Sequence, residues 1–253
     1  MINLFIDLDS TLIYSHRHKF SGEELIPAEY IDGKLQSYMT RKTFDFLSEH
    51  DDINVIPVTA RAQPQYARLE SVLQKFRCEY AIICRGAMLL ENGVPDEKWL
   101  AETLDCAGEE IAELPKAEKW YRDKFAEEDI HITENILIYA RAENPEAAAE
   151  ELKSAVNSSL LNIHYDSRKV YCIPVSINKG NAVKRFADYS GLSIDAAAGD
   201  DTPDISMLEN AKIAFLPKWL SDKVEGPTKE VWNENGCFSD FICDRLEKII
   251  VRK

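Results

Sequence analysis

Apolar runs of strand length alternate with helical patterns from the first residues onward, and this alternation constrains the fold more than any other feature of the chain. Residues 2–8 read as a buried strand, 40–49 as a helix, INVIPVTA (53–60) as a second strand, 64–76 as a helix and YAIIC (80–84) as a third strand. Parallel strands need long crossovers, commonly helices, so a βαβαβ run predicts an α/β sheet. After RGAMLLENG the texture changes. Residues 96–127 are helical and acidic, NILIYARA (135–142) is strand-like, NPEAAAEELKSAVNSS (144–159) is a well-capped helix, and RKVYCIPV (168–175) returns as a strand. The stretch 86–172 is therefore expected to be a separate α/β unit inserted into a core made of 1–85 and 173–253. The last third resumes the first pattern, with a helix from Lys179 to near Gly191, a small-residue strand DAAAG (195–199), a loop and short helix, the strand KIAFLP (212–217) and a closing helix in FICDRLEKIIV (241–251).

A chain of 253 residues, 45% hydrophobic, buries a substantial core and sits near the size at which one domain becomes two. With 44 acidic against 30 basic residues, its formal charge of -14 argues against nucleic acid and against an anionic membrane surface as partners. Any anionic ligand must therefore meet a local positive site. No apolar run approaches roughly 18 residues, and Met1 is followed at once by a strand-like stretch, so neither a membrane span nor a signal peptide is expected and the default location is the cytoplasm. Cys78, Cys84, Cys106, Cys172, Cys237 and Cys243 lack CxxC spacing and read as reduced thiols; the histidines are scattered, so no zinc site is expected.

In an open α/β sheet, ligands gather beyond the carboxyl ends of the strands. Four features fall at such ends or at a helix start beside them. They are Asp7-Leu8-Asp9-Ser10-Thr11, Thr59-Ala60-Arg61, Lys179 after IPVSIN, and GDDTPD from Gly199 to Asp204. Taken singly each has a plain structural reading: turn material for the aspartates, an N-cap or strand residue for Thr59, a solvated lysine for Lys179. Together they supply several carboxylates, a hydroxyl and an ammonium. Side chains alternate along a strand, so Asp7 and Asp9 are expected on one face, where like charges repel. Oxygen ligands of this kind suit Mg²⁺, and a divalent cation offsets the repulsion among Asp7, Asp9 and Asp200.

The order of these motifs, DLDST, VTAR, NKGNAV and GDDTPD, resembles the haloacid dehalogenase superfamily of aspartate-nucleophile phosphohydrolases. The long insert between the second and third motifs resembles the C2-type cap of the Cof-like and sucrose-phosphate phosphatase branches. The resemblance implies a Rossmann-like core with a parallel sheet, an inserted α/β cap, and Mg²⁺-dependent hydrolysis of a small phosphorylated metabolite, most readily a sugar phosphate. It implies Asp7 as nucleophile and Asp9 as the group that protonates the leaving oxygen and then deprotonates water. Thr59 and Lys179 would hold the phosphoryl oxygens. Asp7, the Asp9 carbonyl and Asp200 would hold the metal, with Asp201 or Asp204 steering from behind. Ser10 stands where the family pattern has glycine, and Pro203 where the Cof-like pattern has asparagine.

Arg61, Arg141, Tyr139, Arg168 and Tyr171 are candidate substrate contacts, with exposed sheet residues as the equal alternative for those in the insert. SHRHKF (15–20) is a basic and aromatic cluster beside the first motif, and EYIDGKLQSY carries a hairpin signal at IDGK. Two rival functions use the same residues: a phosphotransferase or phosphomutase, and a silent phosphate-ligand sensor. The presence of both a nucleophile and a general acid weighs against the sensor.

Overall fold

The computed structural model describes residues 1–18, 20, 22–166 and 168–251. The chain divides into two compact units, Met1–Asp96 with Asn178–Lys253, and Glu97–Ile177.

The first unit is built on a five-stranded parallel sheet in the order Thr228–Trp232, Ile213–Pro217, Ala196–Ala198, Ile2–Ile6, Ile53–Pro57. Every residue of Ile2–Ile6 is buried, as a strand covered on both faces requires. Phe5 lies between Ala197 and Ile56 in register, and Phe186 of the helix Lys179–Ser190 meets its ring edge-on at 5.9 Å. Caps fix where the helices begin. Thr40 accepts the Thr43 N–H ahead of Arg41–Glu49, and Asn178 accepts the Asn181 N–H ahead of Lys179–Ser190, which stops at Gly191 with φ 72°.

The structure departs from the sequence reading in several places. The strand Tyr80–Ile83 does not simply continue the parallel run. Cys84, Arg85 and Gly86, with φ of 51°, 61° and 112°, reverse the chain, and Met88–Glu91 pairs back on it antiparallel. Among the described residues, its link to the main sheet is the parallel bridge between Val58 and Ile82. The helix expected over 64–76 is broken into Gln63–Ala67, Glu70–Leu73 and a 3-10 turn, Gln74–Phe76. The strand Thr228–Trp232 was not foreseen.

Residues 14–40 form a three-stranded antiparallel sheet of Tyr14–Ser15, Lys34–Thr40 and Leu25–Ile31. The IDGK signal is its tight turn, with Asp32 and Gly33 both at positive φ, 51° and 72°. Within SHRHKF, the His18 and Phe20 rings pack on Tyr14, at 5.6 and 4.8 Å between centroids; Lys19 lies outside the described residues.

The second unit is a four-stranded antiparallel sheet, Leu161–Tyr165, Lys169–Pro174, Leu137–Arg141, Ile130–Thr133. Leu114, Ala117, Trp120 and Tyr121 from helix Gly108–Lys124, and Ala149 and Leu152 from Pro145–Ala155, pack on its Ile138, Ala140, Ile163, Val170 and Cys172. On the alternate residues His131, Tyr139, Tyr171 and His164 stand opposite one another across all four strands, at ring distances of 4.8, 5.5 and 4.7 Å. The limits of this unit differ from 86 and 172. Met88–Glu91 belongs to the hairpin of the first unit, and Lys169–Pro174 pairs inside the second, so the unit runs from Glu97 to Ile177. Among the described residues no helix is long and apolar enough to cross a membrane.

Candidate active site

Three neighbouring parallel strands end side by side, and each delivers a motif. Asp7 follows Ile2–Ile6, Thr59 follows Ile53–Pro57, and Gly199 and Asp200 follow Ala196–Ala198. The ladder runs one residue past the strand: the Asp7 N–H donates to the Ala198 carbonyl at 2.9 Å. The chain then tightens around the Leu8 carbonyl, which accepts from Thr11, Leu12 and Ile13. This turn puts Ser10 at φ 67°, a conformation that glycine adopts without steric cost. The family pattern's glycine is explained by that backbone, and serine fills it here with some strain.

Lys179, 4% exposed, opens its helix and points its ammonium between two carboxylates, 2.5 Å from Asp7 Oδ1 and 2.5 Å from Asp204 Oδ1. The other oxygen of Asp204 accepts the backbone N–H groups of Asp200 and Asp201, both at 3.0 Å. Thr11, fully buried, donates its hydroxyl to Asp200 Oδ1 at 2.9 Å. Asp7, Asp200 and Asp204 each offer an oxygen within 4.8 Å of the others. Asp201 turns outward and caps Thr202, so it is Asp204 that enters the cluster. Pro203 is tolerated because the 3-10 turn Thr202–Asp204 asks for no N–H at its start.

Three carboxylates with one ammonium leave excess negative charge in a buried place. Burial pushes the Asp7 carboxyl well above its usual range; Lys179 pulls it back, while Asp204 and Asp200 push it further up. Asp200 is pushed up to about 7, by burial first and by Asp204 next, against the pull of the Thr11 hydroxyl. Burial alone would lower the Lys179 ammonium, yet Asp204 and Asp7 outweigh it and hold it above the ordinary lysine value. A donor set of hard oxygens short of positive charge fits a divalent cation. Asp204 is already committed on both oxygens, so Asp7 and Asp200 are the side chains that fit a cation best.

Asp9 is not where strand alternation put it. The strand ends at Ile6, the turn rotates Asp9 outward, and its carboxylate is held by Arg61 through Nε and Nη2, both at 2.8 Å. The crowding that the sequence assigned to Asp7 and Asp9 is instead that of Asp7 with Asp200 and Asp204. Arg61 also reaches Glu29 at 3.0 Å and the Gln65 carbonyl at 3.1 Å. Thr59 is buried, and its hydroxyl oxygen accepts the Arg61 N–H at 3.2 Å, which leaves its proton available to donate. Arg141, Tyr139, Arg168 and Tyr171 all belong to the second unit, where Arg141 pairs with Lys169 across the sheet. Sequence reasoning missed Thr11 as the anchor of Asp200, and missed Glu29 and Arg68 altogether.

The model of the haloacid dehalogenase-like hydrolases matches residues 65–225. The chain belongs to this family. Membership makes it a hydrolase, and its fold is the Rossmann-like parallel core with the inserted α/β unit described above. No curated protein sequence matches it. Among solved structures, this haloacid dehalogenase-like hydrolase is similar in fold to the sucrose-phosphatase of Synechocystis sp. PCC6803, solved with sucrose and phosphate, at 14% identity over 98% of both chains and a TM-score of 0.65. It is similar to the subclass IIB sugar phosphatase BT4131 at 13% identity, over 99% of this chain and 100% of the other, with a TM-score of 0.67. The trehalose-6-phosphate phosphatase of Aspergillus fumigatus follows at 13% identity, 97% and 92% coverage and a TM-score of 0.54.

Proposed function

We propose that the enzyme hydrolyses a small phosphomonoester, a sugar phosphate, through an aspartyl-phosphate on Asp7 with Mg²⁺ bound beside it. The observation that carries this reading is the buried Lys179 ammonium shared by Asp7, at a strand end, and Asp204, in the turn Thr202–Asp204, with Asp200 alongside at the end of the adjacent strand. A nucleophilic carboxylate needs one oxygen free and its charge held in place, and Lys179 binds only Oδ1 of Asp7. The other oxygen attacks phosphorus, and the bond from phosphorus to the leaving oxygen breaks as Asp9 gives that oxygen its proton. Water then attacks the phosphorus of the aspartyl-phosphate, Asp9 takes its proton, and the bond to Asp7 breaks to restore the carboxylate. Lys179 and the Thr59 hydroxyl face the transferring oxygens, where one well-placed donor typically contributes about 3 kcal/mol. Asp7, Asp200 and the Asp9 carbonyl would hold Mg²⁺, which when bound supplies positive charge for the phosphoryl oxygens.

The unit made of both chain ends is assigned as the catalytic core and Glu97–Ile177 as the cap that selects the leaving sugar, with Arg141 and the aromatic row as its recognition groups. The printed names of the structural neighbours, which are sugar phosphatases, support this substrate class. The test is phosphate release from a panel of sugar phosphates, nucleotides and p-nitrophenyl phosphate, with Mg²⁺ and with EDTA, for the wild type and Asp7→Asn. Metal-dependent release that the variant loses supports the reading. Substantial turnover by Asp7→Asn would overturn the nucleophile assignment.

A further inference from the structure

Glu29 is a carboxylate with 4% side-chain exposure in a strand that has no evident need of one. It lies in Leu25–Ile31, and the pairing with Lys34–Thr40 is irregular on both sides of it, with register shifts between Pro27 and Glu29 and again between Glu29 and Tyr30. The consequence is visible in the burial pattern. Ala28 and Glu29 are consecutive and both buried, which an evenly alternating strand does not allow. Such irregularities re-aim side chains, frequently beside functional sites. Here the re-aimed side chain is held by two guanidinium groups, Arg61 Nη2 at 3.0 Å and Arg68 Nε at 2.6 Å, with the Ser37 hydroxyl at 3.3 Å.

A well-packed apolar residue generally secures a hairpin as well as a buried ion pair does, because desolvation consumes most of the Coulomb gain. What the ion pair adds is direction. The Asp9 side chain is 59% exposed; among the described residues its hydrogen bonds come from Arg61, which grips both of its oxygens. The same Nη2 that holds Asp9 also holds Glu29, so the guanidinium plane is set between them.

We propose that Glu29 is a positioning residue for the acid–base carboxylate: the relay Arg68, Glu29, Arg61 orients Asp9, and the three-stranded sheet of residues 14–40 exists in part to deliver it. This rests on the reading of Asp9 as the group that protonates the leaving oxygen. An acid held off its line is missed most by a leaving group that needs a proton and least by one that does not.

The experiment compares wild type, Glu29→Gln, Glu29→Ala and the control Glu24→Gln, which removes an exposed ion pair between the residue just before the strand Leu25–Ile31 and Arg41, the first residue of the helix Arg41–Glu49. Each is assayed for kcat and KM on an alkyl phosphate and on p-nitrophenyl phosphate, with thermal midpoints in parallel, and Glu29→Ala is crystallised. The expected result is an alkyl-phosphate kcat lowered about tenfold in both Glu29 variants, p-nitrophenyl phosphate kcat changed by less than about twofold, KM values unaltered and the control silent. In the Glu29→Ala crystal the Arg61 guanidinium leaves Asp9. Equal losses on the two substrates, tracking the thermal midpoint, would overturn the proposal as mere hairpin glue. Should Glu29→Ala fail to fold, the Glu29→Gln ratio decides alone. A wild type that releases phosphate from neither compound would instead defeat the phosphatase reading, and an Arg61–Asp9 pair left unchanged in the Glu29→Ala crystal would overturn the relay by itself.

Discussion

Gly199→Ala adds one methyl group where the site has no room for it. A Cβ on Gly199 would stand 2.4 Å from Asp204 Cβ, 2.6 Å from its Cγ and 2.8 Å from its Oδ2. Carbon atoms rest about 3.5 to 4.0 Å apart, so Asp204 must retreat by about 1 Å. Its carboxylate carries three bonds, to Lys179 at 2.5 Å and to two backbone N–H groups at 3.0 Å, and each lengthens past useful range. A bond to a charged group is worth about 1.5 to 3 kcal/mol and breaking a buried pair costs about 3 to 5; since the three bonds share one carboxylate they do not simply add, and about 4 kcal/mol is the working figure. For a chain of this length that lowers the thermal midpoint by about 8 to 16 °C. Circular dichroism melting measures it, with Gly191→Ala as the comparison. Gly191 has φ 72° and nothing within 4 Å of an added Cβ, so its substitution strains only the backbone, at about 1 kcal/mol or about 2 to 4 °C. A Gly199→Ala protein that melts no lower than Gly191→Ala would refute the claim that Asp204 braces the site through this contact.

Two further outcomes follow from the same cluster. Lys179→Met leaves Asp7 and Asp204 facing each other without their shared cation, and phosphate-release assays should show kcat lower by about 10² to 10³, as for loss of one preorganised donor; a loss under about tenfold would count against its role. Asp200, raised to about 7 in the fold, binds its proton more tightly folded than unfolded. Its contribution to stability is therefore present at low pH and is lost as pH rises through about 7 in metal-free protein. Mg²⁺ needs the ionised carboxylates and should raise the melting temperature more at pH about 7.5 than at pH about 5. An equal rise at both would show that Asp200 does not titrate against the metal.

The motifs were legible because their chemistry is local to short runs. DLDST, Thr59, Lys179 and GDDTPD each sit at the end of an apolar strand or the start of a capped helix, and the structure brings Asp7, Lys179, Asp200 and Asp204 together. The direction of Asp9 was not legible. It depends on where the strand stops: the last ladder bond is that of Asp7, so Asp9 already lies in the turn, where alternation no longer applies. Glu29 was invisible for a related reason: its burial arises from register shifts against a partner strand, and a glutamate between Ala28 and Tyr30 gives no sign of them. Leu161–Tyr165 and Ile130–Thr133 were missed because their side chains mix His, Asn and Thr with aliphatics, which blunts the apolar signal. The boundary at 86 failed on three successive residues at positive φ, Cys84 to Gly86, two of which are not glycine.

The first strand of the parallel sheet has one neighbour close in sequence and one far away. Ile2–Ile6 pairs with Ile53–Pro57 on one side and with Ala196–Ala198 on the other, and the whole of Glu97–Ile177 is synthesised in between. At translation rates of about 5 to 20 residues per second, the first two strands therefore wait on the order of ten seconds for the third. During that interval an apolar strand edge is open, Asp7 has neither Lys179 nor Asp200 nearby, and the newborn chain is at its most exposed to mispairing. Pairing of Ala196–Ala198 with Ile2–Ile6 closes that edge and brings Asp200 and Asp204 to Asp7 in one event, so a chain interrupted before Asp204 has no partial carboxylate cluster to inherit.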